Sequence, residues 1–135
     1  MTQTSVDARP GISAAIIVKD DHVLLIRRKV KEGTLSWQFP AGQVEPGETP
    51  EETAVRETHE EVGLTVTAAK LLGERVHPAT GRTMYYVACD YGSGDAYVAD
   101  DDEIAEVAWV SNAGVKQYIP LGVFEPVQTY LDSVL

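Results

Sequence analysis

Apolar residues in the first part of the chain come in short unbroken runs, and later ones recur every third or fourth position, which predicts strands first and helices after. Ile12 to Val18 and His22 to Arg28 are β-branched and aliphatic, and the polar Lys19-Asp20-Asp21 between them reads as the turn of a β-hairpin. Trp37 to Phe39 is a short extended piece ending at Pro40, and the glycines and prolines of Ala41 to Glu48 make that stretch a loop. Thr49 supplies a helix cap, Pro50 suits the first helical position, and Glu51 and Glu52 complement the positive end of the helix. Glu52 stands three residues after Thr49, as a capping box requires, and Gly63 is the C-terminal stop. Between these ends Ala54, Val55, Thr58 and Val62 form one apolar stripe. Strand-like runs follow at Thr65 to Leu72, Thr83 to Tyr91 and Glu106 to Ser111. A last amphipathic helix, Phe124 to Leu135, carries Phe124, Val127, Leu131 and Val134 along one side. This order predicts an α/β (α+β) domain, a mixed sheet flanked by helices, better than a regular βαβ series. No repeat or linker divides residues 1–135, so a single domain is expected, with residues 1–10 a flexible lead-in.

Composition narrows the setting. A hydrophobic fraction of 44% over 135 residues suits one globular core. The longest apolar runs are far too short to span a bilayer, and Met1 to Pro10 has no signal-peptide pattern, so a cytoplasmic location is expected. The lone Cys89 can form neither an internal disulfide nor a cysteine-based zinc site, and is expected in the core. A net charge of −10 opposes binding to nucleic acid polymers or anionic membranes. A small phosphorylated partner is still allowed, provided that divalent cations neutralise both it and the acids that hold them. A homodimer is compatible with all of this.

Chemistry enters between Gly42 and Leu64: Gly42, five residues, Glu48, seven residues, Arg56-Glu57, then Glu60-Glu61, Gly63 and Leu64. On a helix, Glu57, Glu60 and Glu61 fall within an arc of roughly 100° beside the apolar stripe. Like charges so crowded repel unless a cation offsets them, and carboxylate oxygens are suited to Mg²⁺ or Mn²⁺. Glutamates on a helix are more often a solvated face. Here, however, the pattern fixes seven positions, and a chance match in this chain is below about one in a million.

The stretch Gly42 to Leu64 resembles the Nudix box, and the hairpin, the approach from Trp37 and the Ala108-Trp109-Val110 strand extend the likeness over nearly the whole chain. The resemblance implies a Nudix-like α/β/α sandwich and Mg²⁺-dependent hydrolysis of a diphosphate bond in a nucleotide-type substrate. It also implies that Glu57 and Glu61 are the principal metal ligands, with Glu60 assisting and the Ala41 carbonyl completing the site. Glu48 and Arg56 would orient the loop and the carboxylates. Glu57 could instead be the general base. Glu103, in the acidic Asp100 to Glu103 loop, is a further ligand or base, with plain surface loop as its competing role. Two departures stand out: Thr58 replaces the usual aliphatic residue, and Ala41 precedes Gly42 where two glycines are common.

Candidate substrate contacts are Arg27 or Arg28 for a phosphate, of which strand alternation lets at most one face the site. Trp37 and Phe39 are candidates for stacking on a base, against core packing. His77 and Arg82, in a polar loop, are candidates for base or phosphate contacts. Nucleoside triphosphates are the leading substrates, with ADP-ribose or a nucleotide sugar as alternative. A non-catalytic nucleotide-binding regulatory module would dispense with the acids that are intact here. Related isomerase chemistry would require a reactive cysteine, which Cys89 in its apolar run does not resemble.

Overall fold

The opening hairpin turns on Asp20 and Asp21, both in the left-handed region at φ 51° and 63°, a two-residue turn whose twist matches that of the strands. It is the first feature of a computed structural model that describes residues 9–32 and 35–135, without the side chains of residues 30–36. The lead-in expected over residues 1–10 lies outside the described residues except for Arg9 and Pro10. Strands β1 (Ile12–Lys19) and β2 (His22–Glu32) flank the turn, then come β3 (Leu35–Gln38), β4 (Ala41–Gln43), helix α1 (Pro50–Val62), β5 (Thr65–Val76), β6 (Thr83–Ser93), β7 (Ile104–Val110), α2 (Asn112–Tyr118) and α3 (Glu125–Val134).

The strands form a mixed seven-stranded sheet with the path β3-β2-β1-β6-β5, β4 joining β1 and β7 joining β2. β1 and β2 pair only beside the turn, at Val18 with Val23 and Lys19 with His22. They then part. β3 takes the vacated edge of β2, pairing Trp37 with Arg27, and β4 takes that of β1, pairing Ala41 with Ala14. On its other edge β1 runs parallel to β6 from Ile12 to Val18. The chain from 35 to 43 therefore crosses from one half of a split sheet to the other, and the candidate site lies at this split.

Both faces of the sheet are covered, which is why β1 and β2 read as continuous apolar runs instead of alternating ones. Ala14, Ile16, Val23 and Leu25 pack with Val115 of α2 and with Val127 and Leu131 of α3. Ala15, Ile17, Leu24 and Ile26 pack with Ala54 and Val62 of α1 and with Cys89. The mixed sheet between helices is thus the expected one, and among the described residues no helix is long and apolar enough to cross a membrane.

Several details differ from the sequence reading. Ala41–Gln43, expected as loop, is a strand, because the parting of β1 from β2 leaves backbone groups that only this segment reaches. The helix α2 has no sequence counterpart: it is only about two turns long with Gly114 inside, capped by Ser111. Val134 is 41% exposed, so the buried stripe of α3 is Val127 and Leu131.

Helix α1 starts and stops where its caps dictate. The Thr49 hydroxyl accepts from the Glu52 N–H at 3.1 Å, the Glu52 carboxylate accepts from the Thr49 N–H at 2.9 Å, and Gly63 closes the helix at φ 74°. Thr58 is fully buried, and its Oγ1 has no hydrogen-bond partner among the described residues. Replacing that hydroxyl by a methyl of the same shape removes an unsatisfied group. Thr58→Val is therefore expected to stabilise the fold by about 1 kcal/mol, a rise in Tm of roughly 3 °C. A thermal melt that shows no gain would place a partner on that oxygen.

Candidate active site

At the split in the sheet lies a cleft of about 570 Å³. Its floor follows from strand alternation: Ala41 and Gln43 of β4, Ile12 and Ala14 of β1, Met84 and Tyr86 of β6, and Arg75 of β5 all belong to one sheet face and all line it. Ile119, Val123 and Phe124 add an apolar wall, and Glu57, Glu60 and Glu61 reach in from α1.

Arg56 organises the acids. Its guanidinium donates to both oxygens of Glu48, Nε at 2.6 Å and Nη2 at 3.0 Å. Nη1 donates to Glu57 at 2.9 Å and to Glu60 at 3.2 Å, and Nη2 also reaches the Gln43 carbonyl at 3.1 Å. Glu48 in turn accepts from the Glu45 N–H and from the Thr53 hydroxyl, so the loop before α1 is tied to the helix. The Arg56 hydrogen bonds hold the Glu48 carboxyl down to about 2, and Glu48 in return raises the Arg56 pKa.

Glu61 has the opposite surroundings. It is 4% exposed, and burial first, then the negative charge of Glu57, pushes its carboxyl up to about 8; Arg28 and the Ala41 N–H oppose this only partly. Burial raises Glu57 as well, against the pull of Arg56. Glu57 also fits closely against the backbone at Gly42, where an added Cβ would lie 2.0 Å from its carboxyl carbon. Two desolvated carboxyls that repel one another in one cleft are suited to a divalent cation, whose hard charge prefers such oxygens. As the side chains stand, no three His, Cys, Asp or Glu among the described residues are gathered to hold one ion. Arg56 engages Glu57 and Glu60, and Ala41 engages Glu61, so seating a cation requires exchanging some of these bonds.

The remaining expected residues divide clearly. Arg28 lines the cleft between acids, donating to Glu103 at 2.7 Å with Glu61 at 3.8 Å. Arg27 does not line it: register places Arg27 opposite Glu106, and Nε donates to that carboxylate at 2.8 Å. Of the two neighbours, then, only Arg28 belongs to the site, and the expectation for Arg27 is corrected by its cross-strand partner. Glu103 lines the cleft with a largely exposed side chain. Ala41 meets the cluster through its N–H, which donates to Glu61 at 3.1 Å, whereas the expectation concerned its carbonyl. Trp37 and Phe39 both line the cleft, yet Phe39 is core and Trp37 packs edge-on against Tyr118 at 4.9 Å. His77 and Arg82 line it too. Sequence reasoning missed Arg75, Tyr86 and Phe124 as cleft residues. Alternation from His77 back to Arg75 was the available signal for the first. Cys89 is buried, its thiol pushed up to about 12 by burial, and lies off the cleft.

A mixed sheet between helices, split to admit a helix-borne row of carboxylates, defines an α+β domain with an acidic cleft. The NUDIX domain model matches residues 8–126, and the chain belongs to that family. A Caenorhabditis elegans relative named among the nudix hydrolases is 36% identical over 109 residues, covering 78% of this chain and 30% of its own. The RNA pyrophosphohydrolase of Yersinia enterocolitica is 44% identical over 64 residues, 47% of this chain and 35% of its own. A NUDIX hydrolase structure from Nitrosomonas europaea superposes with a TM-score of 0.71 at 26% identity, covering 92% of this chain and 87% of that one. The chain spans about a third of the length of the curated relatives it matches.

Proposed function

We propose that the chain is a Mg²⁺-dependent hydrolase that cleaves a diphosphate bond in a nucleotide, with a nucleoside triphosphate giving the monophosphate and pyrophosphate as its leading substrate. The observation that carries this reading is the meeting, in one cleft, of Glu57, Glu60 and Glu61 with Arg28. Family membership and the hydrolase names of relatives support it.

Glu57 and Glu61 would hold the cation, with Glu60 assisting from its more exposed place and the Ala41 backbone beside them. A bound Mg²⁺ would supply neutralisation of charge on the phosphoryl oxygens and orientation of the diphosphate. Arg28 would hold a phosphate oxygen through charge-assisted hydrogen bonds. Glu103, the cleft carboxylate that Arg28 already holds, is assigned the proton of the attacking water. Arg56 and Glu48 touch neither substrate nor water in this scheme; they fix the direction of Glu57 and Glu60. Incubating the protein and Mg²⁺ with nucleoside triphosphates, ADP-ribose, dinucleoside polyphosphates and coenzymes, and resolving the products by chromatography, tests the proposal. Release of no phosphate-containing product from any of them would overturn it.

The same reading predicts a dependence on pH that can be measured without turnover. Glu61 keeps its proton to about pH 8 in the fold but loses it near 4.5 when unfolded, so between these values the folded chain binds the extra proton. This group's contribution to stability therefore falls as pH rises from 4.5 to 8. Glu48, held at about 2, is ionised in the fold throughout and largely ionised in the unfolded chain above pH 5, so it adds little slope between pH 5 and pH 8. Without divalent cations, wild type is expected to lose on the order of 3 kcal/mol relative to Glu61→Gln between pH 5 and pH 8, roughly 10 °C in Tm. Added Mg²⁺ should restore wild type at pH 8 and leave the variant nearly unmoved. Parallel melting curves for the two proteins at every pH would contradict the environment assigned to Glu61.

A further inference from the structure

Two arginines of the cleft, Arg75 and Arg82, are held differently from the arginines of the sheet and helix that pair with glutamates. Arg27, Arg28 and Arg56 each pair with glutamates. Arg75 and Arg82 pair with no carboxylate among the described residues. These two are instead fixed by neutral acceptors. Arg75 donates through Nε to the Tyr86 hydroxyl at 3.2 Å, and its guanidinium lies over the Phe124 ring, 4.8 Å from the centroid. Arg82 donates to the Pro10 carbonyl through Nε at 3.2 Å and Nη2 at 2.7 Å, and to the Gln43 side-chain oxygen at 3.3 Å. Such partners set the direction of a guanidinium without cancelling its charge.

Strand register brings the pair together. Arg75 stands opposite Met84, and the His77 N–H donates to the Arg82 carbonyl at 2.8 Å, so Arg75 and Arg82 are diagonal neighbours on one face of the β5–β6 ribbon. Diagonal positions lie roughly 7–8 Å apart, within reach of side chains as long as arginine, and a guanidinium is suited to hold phosphate oxygens. Both line the cleft that also holds the carboxylates of α1.

We propose that Arg75 and Arg82 form a second anion subsite, which takes a phosphoryl group of the substrate beyond the two joined by the bond that is cleaved. This rests on the diphosphate-hydrolase reading and sharpens it: the cleft selects nucleoside triphosphates over ADP-ribose and nucleotide sugars, which have no third phosphate to offer.

The test measures kcat and KM for a nucleoside triphosphate and for ADP-ribose at saturating Mg²⁺, in wild type, Arg75→Gln, Arg82→Gln and the double variant. Each substitution is expected to lower kcat/KM for the triphosphate about tenfold, mostly through KM, and the pair about a hundredfold. ADP-ribose should change by less than about threefold. Equal losses on both substrates, or none on the triphosphate, overturn the subsite. Since Arg82 also holds Pro10, melting curves are run in parallel; should Arg82→Gln not fold, Arg75→Gln, which gives up the Tyr86 hydroxyl and the ring contacts but no backbone partner, decides alone. Calorimetric binding of an α,β-methylene triphosphate separates the two proposals. If wild type hydrolyses nothing, the hydrolase reading fails, while tenfold weaker binding of the analogue to each variant still upholds the subsite and unchanged binding overturns it.

Discussion

Glu57→Gln and Glu61→Gln are each expected to lower kcat on a nucleotide substrate by on the order of 10³ at saturating Mg²⁺, with the fold intact. The amide keeps the shape of the acid but gives up its charge, and charge is what a hard cation binds. The two variants should differ in everything else. Glu61 is buried, repelled by Glu57 and raised to about 8, so its amide relieves an unfavourable charge and the variant should melt above metal-free wild type at pH 8. Glu57 accepts from Arg56, so its amide weakens that contact and should gain little. Turnover near wild type in both variants would remove these acids from the reaction, whatever the family.

The second large effect falls on Arg56. One guanidinium holds Glu48 by two hydrogen bonds and also reaches Glu57 and Glu60, so Arg56→Met leaves three carboxylates, one from the loop and two from the helix, without their counter-charge. Exposed ion pairs contribute under about 1 kcal/mol and buried ones cost several when broken. With Arg56 partly buried, a loss of roughly 2 kcal/mol is expected, together with a fall in kcat of about a hundredfold as Glu57 and Glu60 lose their direction. Glu48 supplies the signature. Its stabilisation is present above pH 4.5 and disappears as pH falls toward 2, so wild type loses ground in acid that Arg56→Met has already lost. Lysine at this position restores the charge but not the fork, and should recover only part of the turnover. A variant with unaltered acid unfolding and kcat would contradict the organising role.

What the sequence makes legible is what neighbours along the chain determine. The hairpin turn, the capping box of α1, its glycine stop and the shared edge of Glu57, Glu60 and Glu61 follow from local propensity and the helix period, and all are present in the fold. Elements fixed by partners far along the chain are not so readable. β4 is a strand because the parting of β1 and β2 leaves it an edge, and three residues with a glycine among them and a proline before them do not reveal this. Alternation shows that Arg27 and Arg28 face opposite ways, but which of them enters the cleft depends on Glu106 lying opposite Arg27. Alternation from His77 points to Arg75, but its approach to Tyr86 and Phe124 joins two strands to the loop before α3, and no spacing in the chain anticipates those partners.

The close fit at Gly42 bears on how this position tolerates variation. The room a methyl would need there is already filled by the carboxyl group of Glu57, while Gly42 itself has no left-handed backbone to demand glycine. Randomising the codon and selecting for folded protein alone should therefore admit alanine, with the acid swung aside. Selection for turnover should return glycine, since only an empty position lets the carboxylate lie where it does.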